Sequence, residues 1–152
     1  MIDRRIVAVH AESADTCVVE LDCGHRRHVR DRPPFERYPW VRDATAHAQK
    51  IGATIECGRC DALERPSTAQ RYREGTPWTS ATLPAGLRKS HALKAGVWGE
   101  LVVLAGTGRL RFDPPLARTL QLVAGNVIAI PPEATHELVL DDDAVVRIDF
   151  WR

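Results

Sequence analysis

The sequence predicts a mainly β protein in two parts, a small α+β module followed by an all-β domain. Three observations lead to this prediction. Two β-rich runs, 6–10 and 16–21, flank a polar turn and are expected to form a hairpin. A polar stretch, 65–78, contains two prolines and no hydrophobic periodicity, so we expect a linker there. Beyond it, short runs that we expect to be strands alternate with Gly, Pro and Asp turns, as in a sandwich or small barrel. These runs are 101–104, 109–112, 127–130, 137–140 and 145–150.

The composition is that of an ordinary globular protein. The chain has 152 residues, of which 44% are hydrophobic and 27% charged, and its formal net charge is +1. That charge gives no general electrostatic reason to expect a nucleic acid or membrane partner. No apolar run approaches the roughly 18 residues of a membrane span, and the N-terminus lacks a signal-peptide pattern. We therefore expect a cytoplasmic protein.

The first module, 1–64, has one further expected element. Asp43 is a plausible N-cap for a short helix over about 44–51, which Gly52 would end. The module offers little apolar material for a core, and domains of this size often depend on a metal or a disulfide. The sequence therefore predicts that something besides hydrophobic burial stabilises 1–64.

Two closely spaced pairs supply candidate metal ligands in this module. Cys23 and His25 form a Cys-x-His pair, and Cys57 and Cys60 form a Cys-x-x-Cys pair. Three thiolates and one imidazole are a donor set suited to a closed tetrahedral zinc site. His28 is a competitor for His25, because a spacing of Cys-x4-His is also workable. The alternative interpretation is a set of unrelated buried cysteines, since free cysteine is often found in cores.

A closed site of this kind predicts a structural metal. Four protein ligands leave no open position for a reacting water, so we expect zinc to stabilise the fold and assign no catalytic residue. A neighbouring basic string invites a nucleic-acid interpretation, but acidic residues interrupt it and we expect a solvated face. Its arginines are Arg26, Arg27, Arg30 and Arg32.

The first module also resembles a small bacterial zinc-knuckle family. The string Cys-Gly-His-Arg-Arg-His-Val-Arg at 23–30, with a distal Cys-x-x-Cys at 57–60, matches the pattern of that family over about residues 1–66. The resemblance implies the ligand set Cys23, His25, Cys57 and Cys60. It implies no activity.

The second part, 79–152, resembles cupins. A glycine turn, a strand and a proline turn deliver His136 at the end of 125–136, as in the second cupin motif, and 90–100 occupies the place of the first. The fuller string over 78–152 is similar to the cupin-like domain of tellurite-resistance methyltransferases and of small stand-alone bacterial proteins. This resemblance implies a jelly-roll β-barrel. Leu93 stands where metal-binding cupins carry a second histidine, so a complete cupin metal site is not expected.

Four residues of this part are expected to line a cup at the mouth of the barrel. An apolar cup with cationic and imidazole groups suits a small molecule or anion, and the two histidines alone suit a second divalent metal. The alternative is that the histidines are hydrogen-bonded polar residues with no ligand. The four residues are His91, Lys94, Trp98 and His136.

Together these features predict a metal-binding cytosolic protein with a structural zinc and a cupin-like cup, linked to tellurite or other stress resistance. One alternative is a metal-dependent cupin enzyme of oxygenase or isomerase type that uses His91 and His136. Another is a zinc-stabilised interaction adaptor with a surface around Pro33, Pro34 and Trp40. A homodimer is compatible with each of these interpretations.

Overall fold

The computed structural model describes residues 1–152, which fold into two compact units, Met1–Gly58 and Arg59–Arg152. Antiparallel β-sheet dominates both units. None of the helices combines the length and the apolar character that crossing a bilayer requires. The domain bounds drawn from the sequence, 1–64, 65–78 and 79–152, stay a prediction.

The first unit is a four-stranded antiparallel sheet in the order β3-β2-β1-β4. The predicted hairpin is confirmed: β1 and β2 pair with Val9 opposite Val19 and Ile6 opposite Leu21. The strands are β1 (Asp3–Ser13), β2 (Thr16–Leu21), β3 (Arg26–Arg30) and β4 (Thr54–Glu56).

One face of β2 supplies much of the core of this unit. Cys17, Val19 and Leu21 alternate along the strand and are at most 2% exposed, while Val29 on β3 is 1% exposed. Side chains two apart on a strand share a face, so this alternation buries one side of the sheet. The result is a small apolar core.

The helix predicted over 44–51 is wrong in type, because this stretch forms two short 3-10 helices. Asp43 does cap the first of them, accepting a hydrogen bond from the Thr45 backbone N–H at 2.9 Å. Gly52 has a positive φ of 89° and donates its N–H to the Ile6 carbonyl, which returns the chain to the sheet. A stretch this short is a poor α-helix without an apolar face to bury. The 3-10 helices of the unit are Pro39–Arg42, Ala44–Ala46 and Ala48–Lys50.

The second unit contains two sheets. One has the order β10-β7-β12-β5, with β6 also paired to β12, and the other has the order β11-β8-β9. Strand β9 was not anticipated, whereas the runs predicted at 101–104, 109–112, 127–130, 137–140 and 145–150 all lie in strands. The strands are β5 (Arg71–Arg73), β6 (Trp78–Thr79), β7 (Trp98–Ala105), β8 (Thr107–Phe112), β9 (Arg118–Val123), β10 (Val127–Ile130), β11 (His136–Leu140) and β12 (Val145–Trp151). A 3-10 helix, Ala85–Arg88, precedes β7.

The predicted β-barrel is not closed. No strand of the five-stranded sheet is hydrogen-bonded to a strand of the three-stranded sheet. The chain passes from β7 to β8 through Gly106, whose φ is +70°, and changes sheet at that turn. Each sheet buries one face, with Leu101 and Val103 on β7 and Leu110 and Phe112 on β8 at most 2% exposed. The second unit is therefore mainly β, but with two separate sheets.

The stretch expected to be a linker contains β5 and β6, which both pair with β12. Beside them lies the Asp149 carboxylate, which is 0% exposed. It accepts hydrogen bonds from Arg71, Arg147 and the Gly75 backbone N–H. Edge pairing uses backbone groups and needs no apolar periodicity, which is why the sequence pattern did not reveal these strands.

Candidate functional site

The structure gathers the four predicted metal ligands into one cluster. One ligand atom from each of Cys23, His25, Cys57 and Cys60 lies within 4.8 Å of every other. All four residues are buried, at 3% exposure or less. No disulfide joins the cysteines, so every sulfur is a thiol. This cluster could hold one metal ion.

The distances within the cluster fit the edges of a tetrahedron around zinc. The sulfurs of Cys23 and Cys57 are 3.9 Å apart, and the His25 Nδ1 lies 3.5 Å from each of them. Zn–S bonds of about 2.3 Å and Zn–N bonds of about 2.05 Å give edges of about 3.8 Å between two sulfurs and about 3.6 Å between sulfur and nitrogen. The spacing also identifies Nδ1 as the ligand nitrogen of His25.

The turn between β2 and β3 positions the first two ligands. The Leu21 N–H donates to the His25 carbonyl at 2.9 Å, and the Gly24 N–H donates to the Leu21 carbonyl at 2.8 Å. Gly24 has a φ of 88°, a conformation that glycine adopts without the cost of a Cβ. This hairpin turn therefore holds the side chains of Cys23 and His25 against one point.

The other two ligands come from the end of β4 and the helical turn that follows it. Cys57 is anchored by its N–H, which donates to the Ile2 carbonyl at 2.9 Å. Cys60 lies three residues later in the single-turn helix α1 (Gly58–Asp61). Cys57 lies immediately before this helix, and the turn of chain between the two cysteines brings both thiols into the cluster.

His28 lies outside this cluster. Its Nδ1 is 3.1 Å from the Glu12 carboxylate on the exposed surface of the sheet. The reason is strand parity: His28 opposes Val18 in the β2–β3 ladder and lies on the face opposite to Val29. His25 precedes β3, so the alternation of faces along that strand does not determine where its side chain lies.

The two histidines of the expected cup meet in the second unit. His91 and His136 form an isolated antiparallel bridge, with backbone N–H···O distances of 2.9 and 2.8 Å, and their ring centroids are 4.2 Å apart. His136 is 2% exposed and its ring also lies 5.8 Å from that of Phe112. The structure therefore brings two imidazoles together at the start of β11.

Both imidazoles are held in one tautomer. The His136 Nδ1 lies 2.7 Å from the Ala134 carbonyl, and the His91 Nδ1 lies 2.9 Å from the Lys89 carbonyl. A carbonyl only accepts, so each Nδ1 carries a proton, and in the neutral ring Nε2 then keeps a lone pair. The pKa of His136 is lowered to about 4, mainly by burial and in smaller part by the neighbouring His91. His136 is therefore neutral at pH 7 and chemically able to ligate a metal.

The other two residues expected in the cup have different surroundings. Lys94 is exposed on the loop before β7. Trp98 is 1% exposed, but strand alternation places it with Glu100 on the face opposite to Leu101, whose side is the apolar interior. The structure thus brings the two histidines together, and the four-residue cup stays a prediction.

The surface around Pro33, Pro34 and Trp40, on which the adaptor interpretation depends, is partly exposed. Phe35 is 92% exposed and follows the cis-linked Pro33–Pro34. Trp40 is half-buried, and its ring makes an edge contact with His47 and lies under the Lys50 ammonium. In the basic string, Arg26 pairs with Glu20 at 2.6 Å and Arg32 approaches Asp15 at 3.9 Å.

Sequence reasoning missed two features of the structure. The first is a contact of Cys17, whose thiol lies 3.3 Å from the His47 Nε2. Cys17 is 0% exposed and burial raises its pKa, so the thiol is unreactive. The second feature is a cavity that Arg88 and Leu138 help to line, for which the sequence carries no signal.

The fold and the candidate site define a mainly β protein with a four-ligand Cys/His cluster and a buried histidine pair. Residues 73–148 match the TehB-like domain family. That match spans half of the chain, and the chain belongs to this family. Residues 7–64 match a family described as a protein of unknown function, DUF3565. The description names no metal, so the zinc-knuckle interpretation stays a prediction. A comparison with curated proteins gives no match.

Solved structures align with part of the chain, and two of them, with TM-scores above 0.5, share its fold. A protein of Escherichia coli strain K12 is 26% identical, with a TM-score of 0.54 over 59% of this chain and 96% of its own. TehB from Haemophilus influenzae is 23% identical, with a TM-score of 0.51 over 56% of this chain and 32% of its own. An RmlC-like cupin from Shewanella frigidimarina NCIMB 400 is 18% identical, with a TM-score of 0.35 over 55% of this chain and 60% of its own. This chain thus spans about a third of the length of TehB.

Proposed function

We propose that the chain is a metal-binding protein in which Cys23, His25, Cys57 and Cys60 hold one structural zinc ion. The observation that supports this most strongly is the agreement of the S–S and S–N distances, 3.9 and 3.5 Å, with the edges of a zinc tetrahedron. Soft thiolates beside an imidazole disfavour magnesium and calcium, which prefer oxygen ligands. With four protein ligands, the ion has no coordination position for a substrate.

The proposed role of the metal is to join two ends of the first sheet. Cys23 and His25 lie in the turn between β2 and β3, whereas Cys57 leaves β4, which pairs with β1 on the other side of the sheet. In the order β3-β2-β1-β4, the two ligand pairs therefore come from different strands, and one metal ion would link those strands in a sheet that has only a small core. Structural zinc contributes about 10–16 kcal/mol in zinc-finger peptides, enough to decide whether such a unit folds.

Metal content tests this proposal. We expect one zinc per chain by inductively coupled plasma mass spectrometry of the tag-free protein, and loss of that zinc in Cys23→Ser/Cys57→Ser. The matched control is His28→Ala, which removes an imidazole outside the cluster and should retain one zinc per chain. A wild-type protein without bound zinc after purification in zinc-supplemented buffer would overturn the proposal.

A second candidate function is specific to the His91–His136 pair. We propose that it binds a metal ion, because both Nδ1 atoms donate to backbone carbonyls and, in the neutral rings, both Nε2 atoms keep a lone pair. A small anion would instead need a proton on Nε2, because a lone pair repels it. A carbonyl that fixes the tautomer of an imidazole is the usual arrangement behind histidine ligands. The family resemblance adds the proposal that this site serves tellurite or other stress resistance. If the bound metal also takes part in a reaction, the protein is a metal-dependent enzyme that uses His91 and His136 as ligands.

Two titrations distinguish these forms. A second metal equivalent in the wild type that is lost in His91→Ala/His136→Ala, with the first zinc retained, would support a metal site. Heat released on adding tellurite to the wild type but not to the double variant would support an anion site. Neither effect at millimolar ligand would leave the histidines as hydrogen-bonded structural residues and exclude the second function.

We also propose a cytoplasmic location. The Cys23 and Cys57 sulfurs lie 3.9 Å apart without forming a disulfide, and a reducing compartment keeps such thiols available as ligands. Fractionation of expressing cells should find the protein, with its zinc, in the cytoplasmic fraction.

A further inference from the structure

Arg4 is a charged residue on the buried face of the first sheet. It lies between Ile2 and Ile6 on that face of the chain, and the three residues Ile2, Arg4 and Ile6 are 6%, 4% and 3% exposed. Arginine is almost never fully buried unless a negative group pairs with it. Asp31, which is also buried in this unit, pairs with Arg42 at 2.6 Å. The burial of Arg4 therefore calls for a negative group inside the same small core.

Strand β1 places Arg4 beside the first ligand pair. Ile6 lies opposite Leu21 in the β1–β2 ladder, and a backbone hydrogen bond of 3.0 Å between the next residues of the two chains carries the pairing past the end of β2. Antiparallel partners move in opposite directions along their chains, so the residue across from Arg4 is Cys23. Both are two residues from the buried pair Ile6 and Leu21, so they share its face.

Strand β4, on the other side of β1, brings the second ligand pair to this face. Arg4 lies opposite Ile55, and the Cys57 N–H donates to the Ile2 carbonyl at 2.9 Å. Cys57 is thus the diagonal neighbour of Arg4, two residues beyond Ile55. Diagonal neighbours on one face lie about 7–8 Å apart, within reach of a long side chain. Arg4 is therefore flanked by Cys23 on one side and Cys57 on the other.

A zinc-filled cluster carries a negative charge at this place. Thiols that bind zinc are deprotonated, so three thiolates outweigh the double positive charge of the ion by one. All four ligands are buried, at 3% exposure or less. Burying a net charge costs free energy unless an opposite charge lies nearby. The guanidinium of Arg4 is a permanent cation with several N–H donors, and a thiolate sulfur is an acceptor.

We propose that Arg4 is the counter-charge of the metal cluster, which compensates its negative charge and donates hydrogen bonds to its thiolates. This inference rests on the zinc site proposed above. Outer groups that bond to metal ligands raise the affinity for the metal, and their loss typically costs about 10–100-fold. A thiolate beside a cation is also a weaker nucleophile. Arg4 thus keeps the zinc bound and its sulfurs unreactive.

Two neighbouring charges provide the comparisons that isolate this role. Arg5 is the next residue on β1 and is exposed on the opposite face, so it has the charge of Arg4 without its position. Asp61 follows Cys60 in α1 and is half-buried, so it is the competing partner for Arg4. If Arg4 served only that carboxylate, removing Asp61 would have the same effect as removing Arg4.

The zinc affinity of the full-length protein tests the proposal, by competition with a chromophoric chelator. We expect Arg4→Met, which keeps an unbranched side chain in the core, to weaken zinc binding at least about tenfold. Arg4→Lys keeps the charge and should stay within about threefold of the wild type. The matched control Arg5→Met removes an exposed charge and should stay within about twofold.

The reactivity of the bound sulfurs is a readout that core packing alone would not change. Iodoacetamide is added at saturating zinc, and alkylation is followed by mass spectrometry. We expect Arg4→Met to be alkylated several-fold faster than the wild type, and Arg4→Lys at nearly the wild-type rate, because the positive charge weakens the nucleophile. Cobalt-substituted Arg4→Met should keep its sulfur-to-cobalt charge-transfer absorption, which shows that the variant still folds around the cluster.

The results that would overturn the proposal differ from one another. Equal zinc affinity and equal alkylation of the wild type and Arg4→Met would refute the role of Arg4 and leave the zinc site standing. If Asp61→Asn weakens zinc binding as much as Arg4→Met does, and the double variant binds no more weakly, Arg4 acts through that carboxylate and not as the counter-charge. A wild-type protein that binds no zinc would overturn the zinc site and this inference together.

Discussion

At the scale of single residues, the two histidines near Cys23 provide the sharpest contrast. The His25 Nδ1 is 3.5 Å from two ligand sulfurs, whereas His28 faces Glu12 on the surface. The sequence left both as candidates, because spacing alone allows either. The alternation of faces along β3 decides between them. That alternation can be applied only once it is known that β3 begins at Arg26.

We predict that His25→Ala lowers zinc affinity by about 100-fold, since one of four ligands of a site with a binding free energy of about 10–16 kcal/mol is lost. Competition with a chromophoric zinc chelator measures this change. His28→Ala should keep the wild-type affinity within about twofold. If His28→Ala weakened zinc binding as much as His25→Ala, the ligand assignment would be contradicted.

We predict that His136 makes the second unit less stable in mild acid. Its pKa is lowered to about 4 by burial, with His91 lowering it and Asp113 and the Ala134 carbonyl opposing that shift. The unfolded chain, with an ordinary histidine pKa of about 6.5, therefore binds the proton more readily. Stability is fully present above pH 6.5 and falls by up to about 3 kcal/mol as the pH drops from about 6.5 to about 4.

Urea unfolding at pH 7 and pH 5 measures this loss. The variant His136→Gln keeps a polar side chain without the titration, and it should lose about 2 kcal/mol less than the wild type between these two pH values. Equal losses in the two proteins would show that other groups cause the acid sensitivity.

At the scale of elements, the turns that carry glycine differ in what surrounds them. Gly106 joins β7 to β8 with a φ of +70°, and a Cβ there would lie 2.4 Å from the Asp143 backbone carbonyl. Gly125 has a similar φ of +91°, but a Cβ there would meet no atom within 4 Å. Substituting each glycine in turn therefore separates the cost of backbone strain, which both sites share, from the cost of steric overlap, which only Gly106 has.

We predict that Gly125→Ala costs about 1–2 kcal/mol, the price of a left-handed conformation for a residue with a Cβ. Gly106→Ala should cost several kcal/mol more, because the Asp141–Asp143 turn must move as well. Urea midpoints of the two variants provide the comparison. Similar midpoints would contradict the close approach of Gly106 to Asp143.

Element prediction succeeded where alternation and turns were both clear, as in the β1–β2 hairpin. Strand β9 had the same signal, with Leu120 and Leu122 alternating with Thr119 and Gln121, and it could have been found. Strands β5 and β6 had none, since their pairing with β12 uses backbone groups and the buried Asp149. The 44–51 helix failed because a good cap at Asp43 does not by itself provide an apolar face.

At the scale of the whole molecule, the sequence predicted the cluster of metal ligands, whereas the four-residue cup stays a prediction. The pairs 23–25 and 57–60 are each local, so their spacing carries most of the geometry. Placing Trp98 in the cup requires knowing which face of β7 it occupies, and a shift of one residue in register reverses that face. The sequence also could not show whether the barrel closes. Alternation of apolar and polar residues describes the two faces of one sheet and does not show which strands join two sheets.

The measurement that tests the central claim most directly is X-ray absorption at the zinc K-edge of the purified wild-type protein. We predict a first shell of three sulfurs at about 2.3 Å and one nitrogen at about 2.0–2.1 Å, the donors being Cys23, Cys57, Cys60 and His25. A shell made only of nitrogen and oxygen, or a protein that retains no zinc, would contradict the account.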